Sequence, residues 1–167
     1  MSAEEHKAKA PAVVRVFVLT ISDTRTEDTD TSGQLAQKLI EDAGHHIAGY
    51  RLLRDDPAEV AAVIGRIAQH ELADVVVSSG GTGISRRDST YEAVSGLLDK
   101  RLDGFGELFR MLSYQEIGSA AMLSRAVGGL HRDVVVFALP GSSGAVRLGL
   151  EKLILPELGH LVFEKKR

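Results

Sequence analysis

A single three-layer α/β/α domain with a mainly parallel sheet is the fold class this sequence predicts. Three observations carry that expectation. Apolar, β-branched runs (VVRVFVLTI, DVVVSS, DVVVFAL) alternate with segments of helical spacing, as in β-α-β crossovers. Those runs are nearly continuous in apolar character, which is how strands covered on both faces read. With 167 residues, 44% of them hydrophobic, the chain can bury one sizeable core, and no repeat or linker divides it.

Taken in order, residues 1–12 (MSAEEHKAKAPA) are polar and are expected to form a flexible N-terminal arm, leaving the domain proper at 13–167. They contain no apolar stretch and do not read as a signal peptide. Residues 13–21 are the first strand, ending in Ser22 and Asp23. The loop through Glu27, Asp28 and Asp30 reads as solvated. Helical spacing over 32–43 places Leu35, Leu39 and Ile40 on one side, and Gly44 stops it. A second strand covers 46–53. Asp55, Asp56 and Pro57 open the next helix, whose buried stripe is Val60, Val63, Ile64 and Ile67.

The third strand, 74–79, runs into the loop SSGGTGISRRDST at 78–90, followed by a helix over about 90–98. Residues 104–114 read as a helix, 119–126 as a shorter one, and 133–139 as a fourth strand closed by Pro140 and Gly141. A last helix starts near Ser143 and passes Leu153, with a short segment after Pro156. His45, His46, His131 and His160 lack neighbouring ligands in the sequence and read as surface or structural histidines.

The formal charge of −3 argues against a general nucleic-acid binder. The absence of cysteine excludes a disulfide scaffold, a zinc-thiolate site and a thiol nucleophile together. No apolar run approaches the ~18 residues of a membrane span, so a cytoplasmic protein is expected.

Ligands of open parallel sheets sit beyond the carboxyl ends of the strands. The informative loops are therefore Ser22–Asp23, residues 78–90 and residues 140–144. Gly80, Gly81 and Gly83 permit positive φ and close approach to a ligand, and successive N–H groups there form a seat for an anion. Ser78, Ser79, Thr82, Arg86 and Arg87 add donors. The loop matches neither GxxxxGK[ST] nor GxGxxG, so a phosphate seat and a tight structural turn both remain open. Asp88 reads either as a cap of the following helix or as a metal or proton site. Asp55 and Asp56 likewise read as caps or ligands. An acid in the glycine loop and an acid after strand two, at one end of one sheet, suit a shared Mg²⁺, which takes one or two carboxylates plus substrate phosphates. Ser142 and Ser143 are a helix cap or a substrate edge.

SGGTG followed by RRDST, with TISD at 20–23, DTSG at 30–33 and LPGSSGA at 139–145, resembles the MoaB/MogA family of molybdenum-cofactor biosynthesis proteins. Residues 104–129 bring the resemblance nearest to the MoaB branch. It implies a domain that assembles as a homotrimer, sometimes paired into a hexamer. It also implies binding of molybdopterin, a pterin with a dithiolene and a terminal phosphate. Active members transfer AMP from Mg-ATP to that phosphate and hand the product to a molybdate-inserting enzyme. The required aspartates correspond to Asp55, in the pair with Asp56, and Asp88. Substrate contacts are expected at Ser22, Asp23, Ser79, Gly80, Gly81, Thr82, Gly83, Arg87, Thr90, Pro140, Gly141, Ser142 and Ser143.

Some bacterial MoaB proteins lack those acids and are catalytically silent. Here RDDP and RRDST retain them, so a molybdopterin adenylyltransferase is expected, with a silent molybdopterin-binding protein as the alternative. Tyr91, where many relatives have proline, and the pair Ser143–Gly144 depart from the family pattern. Phe105, Phe109, Met111, Leu112 and Tyr114 make a denser apolar cluster than one amphipathic helix needs, so part of it is expected to pack against a neighbouring subunit.

Overall fold

The computed structural model describes residues 2–167. Its sheet has six strands: β1 (Arg15–Ile21), β2 (His46–Leu53), β3 (Val75–Ser79), β4 (Lys100–Arg101), β5 (Val127–His131) and β6 (Val134–Leu139), in the order β2-β1-β3-β6-β5-β4. The first four in that order are parallel, while β5 and β4 pair antiparallel at one edge. The sheet is therefore mainly parallel, as expected. β5 and β4 were not foreseen. β4 is only two residues long, and β5 (VGGLH) carries two glycines where a strand pattern would show branched side chains.

Helices cover both faces. On one side lie α2 (Thr31–Asp42), α5 (Asp103–Ile117), α6 (Ser143–Gly149) and α7 (Leu155–Lys165), and on the other α3 (Pro57–Gln69) and α4 (Thr90–Leu97). Period-2 alternation divides the core between them. Val75, Val77, Val135, Phe137 and Leu139 face the first layer, and Val76, Val134, Val136 and Ala138 face the second. Phe109 of α5 is fully buried in the first layer, a contribution of roughly 1.5–3 kcal/mol by area. The expected stripe of α3 is buried in the second.

Three differences have local causes. The arm expected to be flexible contains a helix, α1 (Ala3–Lys9), closed by a reciprocal capping box between Ser2 and Glu5 and lying against α7; Met1 lies outside the described residues. Its docking uses His6 and Lys7 against Glu157, Glu164 and Phe163, with no apolar stripe to betray it. The 119–126 segment is a 3₁₀ turn, Gly118–Leu123. Finally, the last helix does not stop near Pro156. A π-type turn at Leu150–Ile154 carries the chain into α7, where Pro156 occupies the first turn and needs no N–H partner.

Candidate functional site

Strand register sets the site. Thr20 of β1 pairs with Ser79 of β3, and Ser79 with Leu139 of β6, so the loops leaving all three strands emerge side by side. The Gly80 N–H donates to the Leu139 carbonyl at 2.9 Å. Gly80 has φ +98°, and a Cβ there would lie 2.1 Å from the Ile21 carbonyl oxygen. Gly81 has φ +71°, and its Cβ would lie 2.1 Å from Thr90 Oγ1. No side chain fits either position. Thr90 N–H donates back to the Gly81 carbonyl at 3.0 Å, closing the loop on itself.

Beneath this loop lies Asp55, 6% exposed. Its Oδ1 accepts from Ser89 N–H at 3.2 Å, Ser89 Oγ at 2.7 Å and Thr90 Oγ1 at 3.4 Å. The adjacent Asp56, not Asp55, caps α3, accepting from the N–H groups of Ala58 and Glu59. That division frees Asp55 to reach across to the glycine loop. Asp23 joins the layer by accepting from Asp55 N–H at 3.1 Å and from Arg87 Nε at 3.0 Å. The Asp55 amide first, then the Arg87 guanidinium, hold the Asp23 carboxyl below its ordinary range.

Asp88 is arranged differently. Its Oδ2 accepts from Ser85 N–H at 3.0 Å and Ser85 Oγ at 2.6 Å, tying residues 85–88 into a turn. It does not cap α4, whose cap position is Ser89 and has no side-chain cap hydrogen bond. Among the described residues, the hydrogen bonds to Asp88 all go to Oδ2. The carboxylate lies against Gly83, where a Cβ would sit 2.7 Å from Oδ2.

Asp88 is on the wall of a cavity of about 380 Å³. Gly80, Gly81, Thr82, Gly83, Pro140, Gly141 and Ser142 from the loops line it together with Phe109, Ser113 and Ile117 of α5 and Leu123. N–H groups of residues 81–83 without hydrogen bonds among the described residues, in a lining that also holds apolar side chains, could take a ligand with an anionic group and an organic body. Asp55, Ser22, Asp23, Ser79, Arg87 and Thr90 do not line the cavity. Several of them brace the loop from behind, Asp55 through Ser89 and Thr90 and Asp23 through Arg87. Ser22 Oγ accepts from Arg25 N–H at 3.1 Å, and Ser142, on the cavity wall, caps α6 through Ala145 N–H at 3.1 Å. Ser143 is the first residue of α6 and exposed. Ser79 keeps its hydroxyl buried without a hydrogen-bond partner.

Sequence reasoning missed three supporting residues. Arg125 donates to the carbonyls of Thr82 and Gly83, pairs with Glu92 and lies 4.8 Å from the centre of the Tyr91 ring. Arg25 donates to Ser32 Oγ at 2.6 Å and the Gly141 carbonyl at 3.2 Å, linking the first and last loops. Asp30 is not solvated but fully buried, accepting from Gly33 N–H at 3.0 Å and from the Tyr50 hydroxyl at 2.6 Å. Burial, then the Asp30 carboxylate, push the Tyr50 phenol well above its ordinary value. Only Asp30, three residues before a helix glycine inside DTSG, had a local signal.

The expected apolar cluster on α5 splits. Phe105 and Phe109 belong to the core, whereas Met111 is 51% and Tyr114 62% exposed. With Leu108, Ile117, Met122 and Leu123 they form an exposed apolar surface beside the cavity.

Residues 17–160 match the family described as a probable molybdopterin binding domain. A molybdenum cofactor biosynthesis protein B from Bacillus cereus is 56% identical over 168 residues, covering 100% of this chain and 99% of that protein. A crystal structure of a molybdenum cofactor biosynthesis protein B superposes with a TM-score of 0.90 at 57% identity, over 95% of this chain and 99% of that one. The tungsten cofactor synthesizing protein MoaB from Pyrococcus furiosus does so with a TM-score of 0.83 at 42% identity, over 95% and 100%. A glycine-lined cavity at the strand exits thus coincides with the segment these relatives share, and the chain belongs to the MoaB/MogA family of molybdenum-cofactor biosynthesis proteins.

Proposed function

We propose that the protein is a molybdopterin adenylyltransferase of the cytoplasm, moving AMP from Mg-ATP to the terminal phosphate of molybdopterin. The observation that carries this reading is the position of Asp88, whose carboxylate stands on the wall of the glycine-lined cavity instead of capping the helix behind it. The N–H groups of residues 81–83 would seat phosphate, and the apolar side chains of α5 that line the cavity would take the pterin body.

Only hard oxygen donors stand at Asp55 and Asp88, a set that fits magnesium and not a soft metal. These two residues would hold the ion that accompanies ATP, and Ser89 links them by following Asp88 in the chain and donating to Asp55. When bound, magnesium would neutralise phosphate charge. An oxygen of the molybdopterin phosphate then bonds to the α-phosphorus of ATP, and the bond to the pyrophosphate oxygen breaks. The nucleophile is already anionic, so the chain needs no general base. Its work is to hold the loop rigid, through Arg125, Thr90 and Asp55, and to align the reacting groups.

A second reading has one observation in its favour. Asp55 Oδ1 is already taken by three donors, as suits a brace in a silent molybdopterin-binding protein. Incubation with molybdopterin and Mg-ATP separates the two. Adenylyl-molybdopterin with one pyrophosphate per turnover is the expected result, and tight molybdopterin binding with no nucleotide product would establish the silent binder. The activated product would pass to a molybdate-inserting enzyme.

The exposed face of Leu108, Met111, Tyr114 and Ile117 is proposed to pack against a second copy in a trimer or hexamer. Met111→Lys with Tyr114→Glu would leave the core intact and lower the mass seen by light scattering to that of one chain. A wild type that is monomeric at micromolar concentration would remove this proposal.

A further inference from the structure

Away from the cavity, α1 and α7 bring together a set of side chains the reaction does not use. Among the described residues, His6, His160 and Glu164 are the one group of three whose ligand atoms all fall within 4.8 Å of one another. His6 Nδ1 contacts Glu164 Oε1, and His160 Nε2 lies 3.6 Å from that same oxygen. Donors on a tetrahedral zinc ion, with bonds of about 2.0–2.1 Å, are roughly 3.4 Å apart. The His160 spacing already matches, and rotation of the half-exposed Glu164 side chain opens the other.

One feature prepares His160 as a ligand, and another marks His6 as incompletely partnered. Glu157 Oε2 is 2.8 Å from His160 Nδ1, an acceptor that makes Nδ1 the donor and leaves Nε2 to face Glu164. A carboxylate behind a histidine in this way is the usual outer support of a metal ligand, fixing tautomer and ring plane. His6, 8% exposed, also keeps Nε2 buried without a hydrogen-bond partner.

We infer that His6, His160 and Glu164 form a binding site for a divalent ion of the zinc class, a clasp holding the N-terminal helix to the C-terminal one. Two imidazoles and a carboxylate suit zinc and disfavour magnesium and calcium. A fourth position is left for water. The site is remote from the glycine loop. Lys165, next to Glu164, donates to the Asp74 carbonyl at the start of β3, whereas the loop leaves the other end of that strand. Its role is therefore structural, and it gives the seven-residue α1, too short to be stable alone, a reason to stay docked.

The test uses the full chain without a polyhistidine tag, in excess Mg²⁺ so that plain carboxylate sites are filled. Zinc is titrated against a chromophoric chelator, and Co²⁺ is added in parallel for its visible absorption. One ion per chain is expected, with the intense cobalt bands of a low-coordinate site. His6→Gln and His160→Gln should each weaken zinc binding at least ~10-fold, and Glu157→Gln by about 10- to 100-fold through loss of outer support. Zinc should also slow amide exchange in residues 3–9 of the wild type and not of His6→Gln. His6 lies outside the core, so that variant keeps the fold, which circular dichroism checks. Failure to bind one zinc per chain, or variants that bind as the wild type does, would mean an ion pair only and overturn the site.

Discussion

Asp55 and Asp88 lie at the same end of one sheet, yet the structure uses them in opposite ways. Asp55 is buried and gives Oδ1 to three donors from Ser89 and Thr90. Asp88 is half-exposed, engages only the Ser85 turn through Oδ2, and faces the cavity. The contrast teaches that Asp55 braces the glycine loop while Asp88 ties only its own turn, so on the proposed reading Asp55 would serve both fold and metal and Asp88 chiefly the metal. Replacing the first should therefore cost stability and chemistry together, and replacing the second should cost chemistry alone.

The largest effect is expected at Asp55. Asp55→Ala leaves the Ser89 and Thr90 donors without their acceptor, a loss of roughly 2–3 kcal/mol for charged hydrogen bonds at a buried site, and should abolish AMP transfer as well. Urea denaturation with a parallel transfer assay measures both. Retained stability would show that Asp55 is not a brace. Arg125→Ala comes next. It removes the donors to the Thr82 and Gly83 carbonyls and should lower turnover more than stability, the latter by about 1–2 kcal/mol. A change in stability alone would mean that loop rigidity is not used in the reaction.

Asp56→Ala is smaller again. It deletes the α3 cap, worth about 1 kcal/mol, and should leave turnover near the wild-type value. A transfer defect exceeding that of Asp55→Ala would move the metal ligand to Asp56. The smallest effect is the acid response of Asp23. Its carboxyl is held low by the Asp55 amide and Arg87, so its contribution is present above the unfolded value of about 4 and disappears as pH falls through the lower folded value. The difference in melting temperature between wild type and Asp23→Asn should shrink on that descent. A difference that persists in acid would assign it to packing instead of charge.

What could be read in advance follows the range of the interactions concerned. β1, β3 and β6 were legible because their valine-rich runs are largely buried, and α3 because its cap, proline and stripe agree. The loop that lines the cavity was legible from Gly80, Gly81 and Asp88, where backbone geometry and charge are written locally. Arg125 was not, because its carbonyl partners are 43 and 42 residues away and a lone arginine before a glycine pair has no periodicity. The docking of α1 escaped for the same reason: His6 meets His160 and Glu164 only once the two ends of the chain are folded together. Phe109 and Met111 show the converse limit. Adjacent in composition, they differ in exposure from 1% to 51% because two positions along a helix turn the side chain to another face.

The claim most open to direct test is that Asp88 serves the magnesium nucleotide and not the fold. Asp88→Asn keeps the shape of the side chain and one acceptor for the Ser85 turn but removes its charge. The rate of AMP transfer to molybdopterin should be measured for wild type and variant across a magnesium titration, with melting temperature and molybdopterin affinity recorded for both. The account predicts unchanged melting and molybdopterin binding, and a loss of turnover that is most severe at limiting magnesium. Wild-type turnover in the variant at limiting magnesium would contradict it.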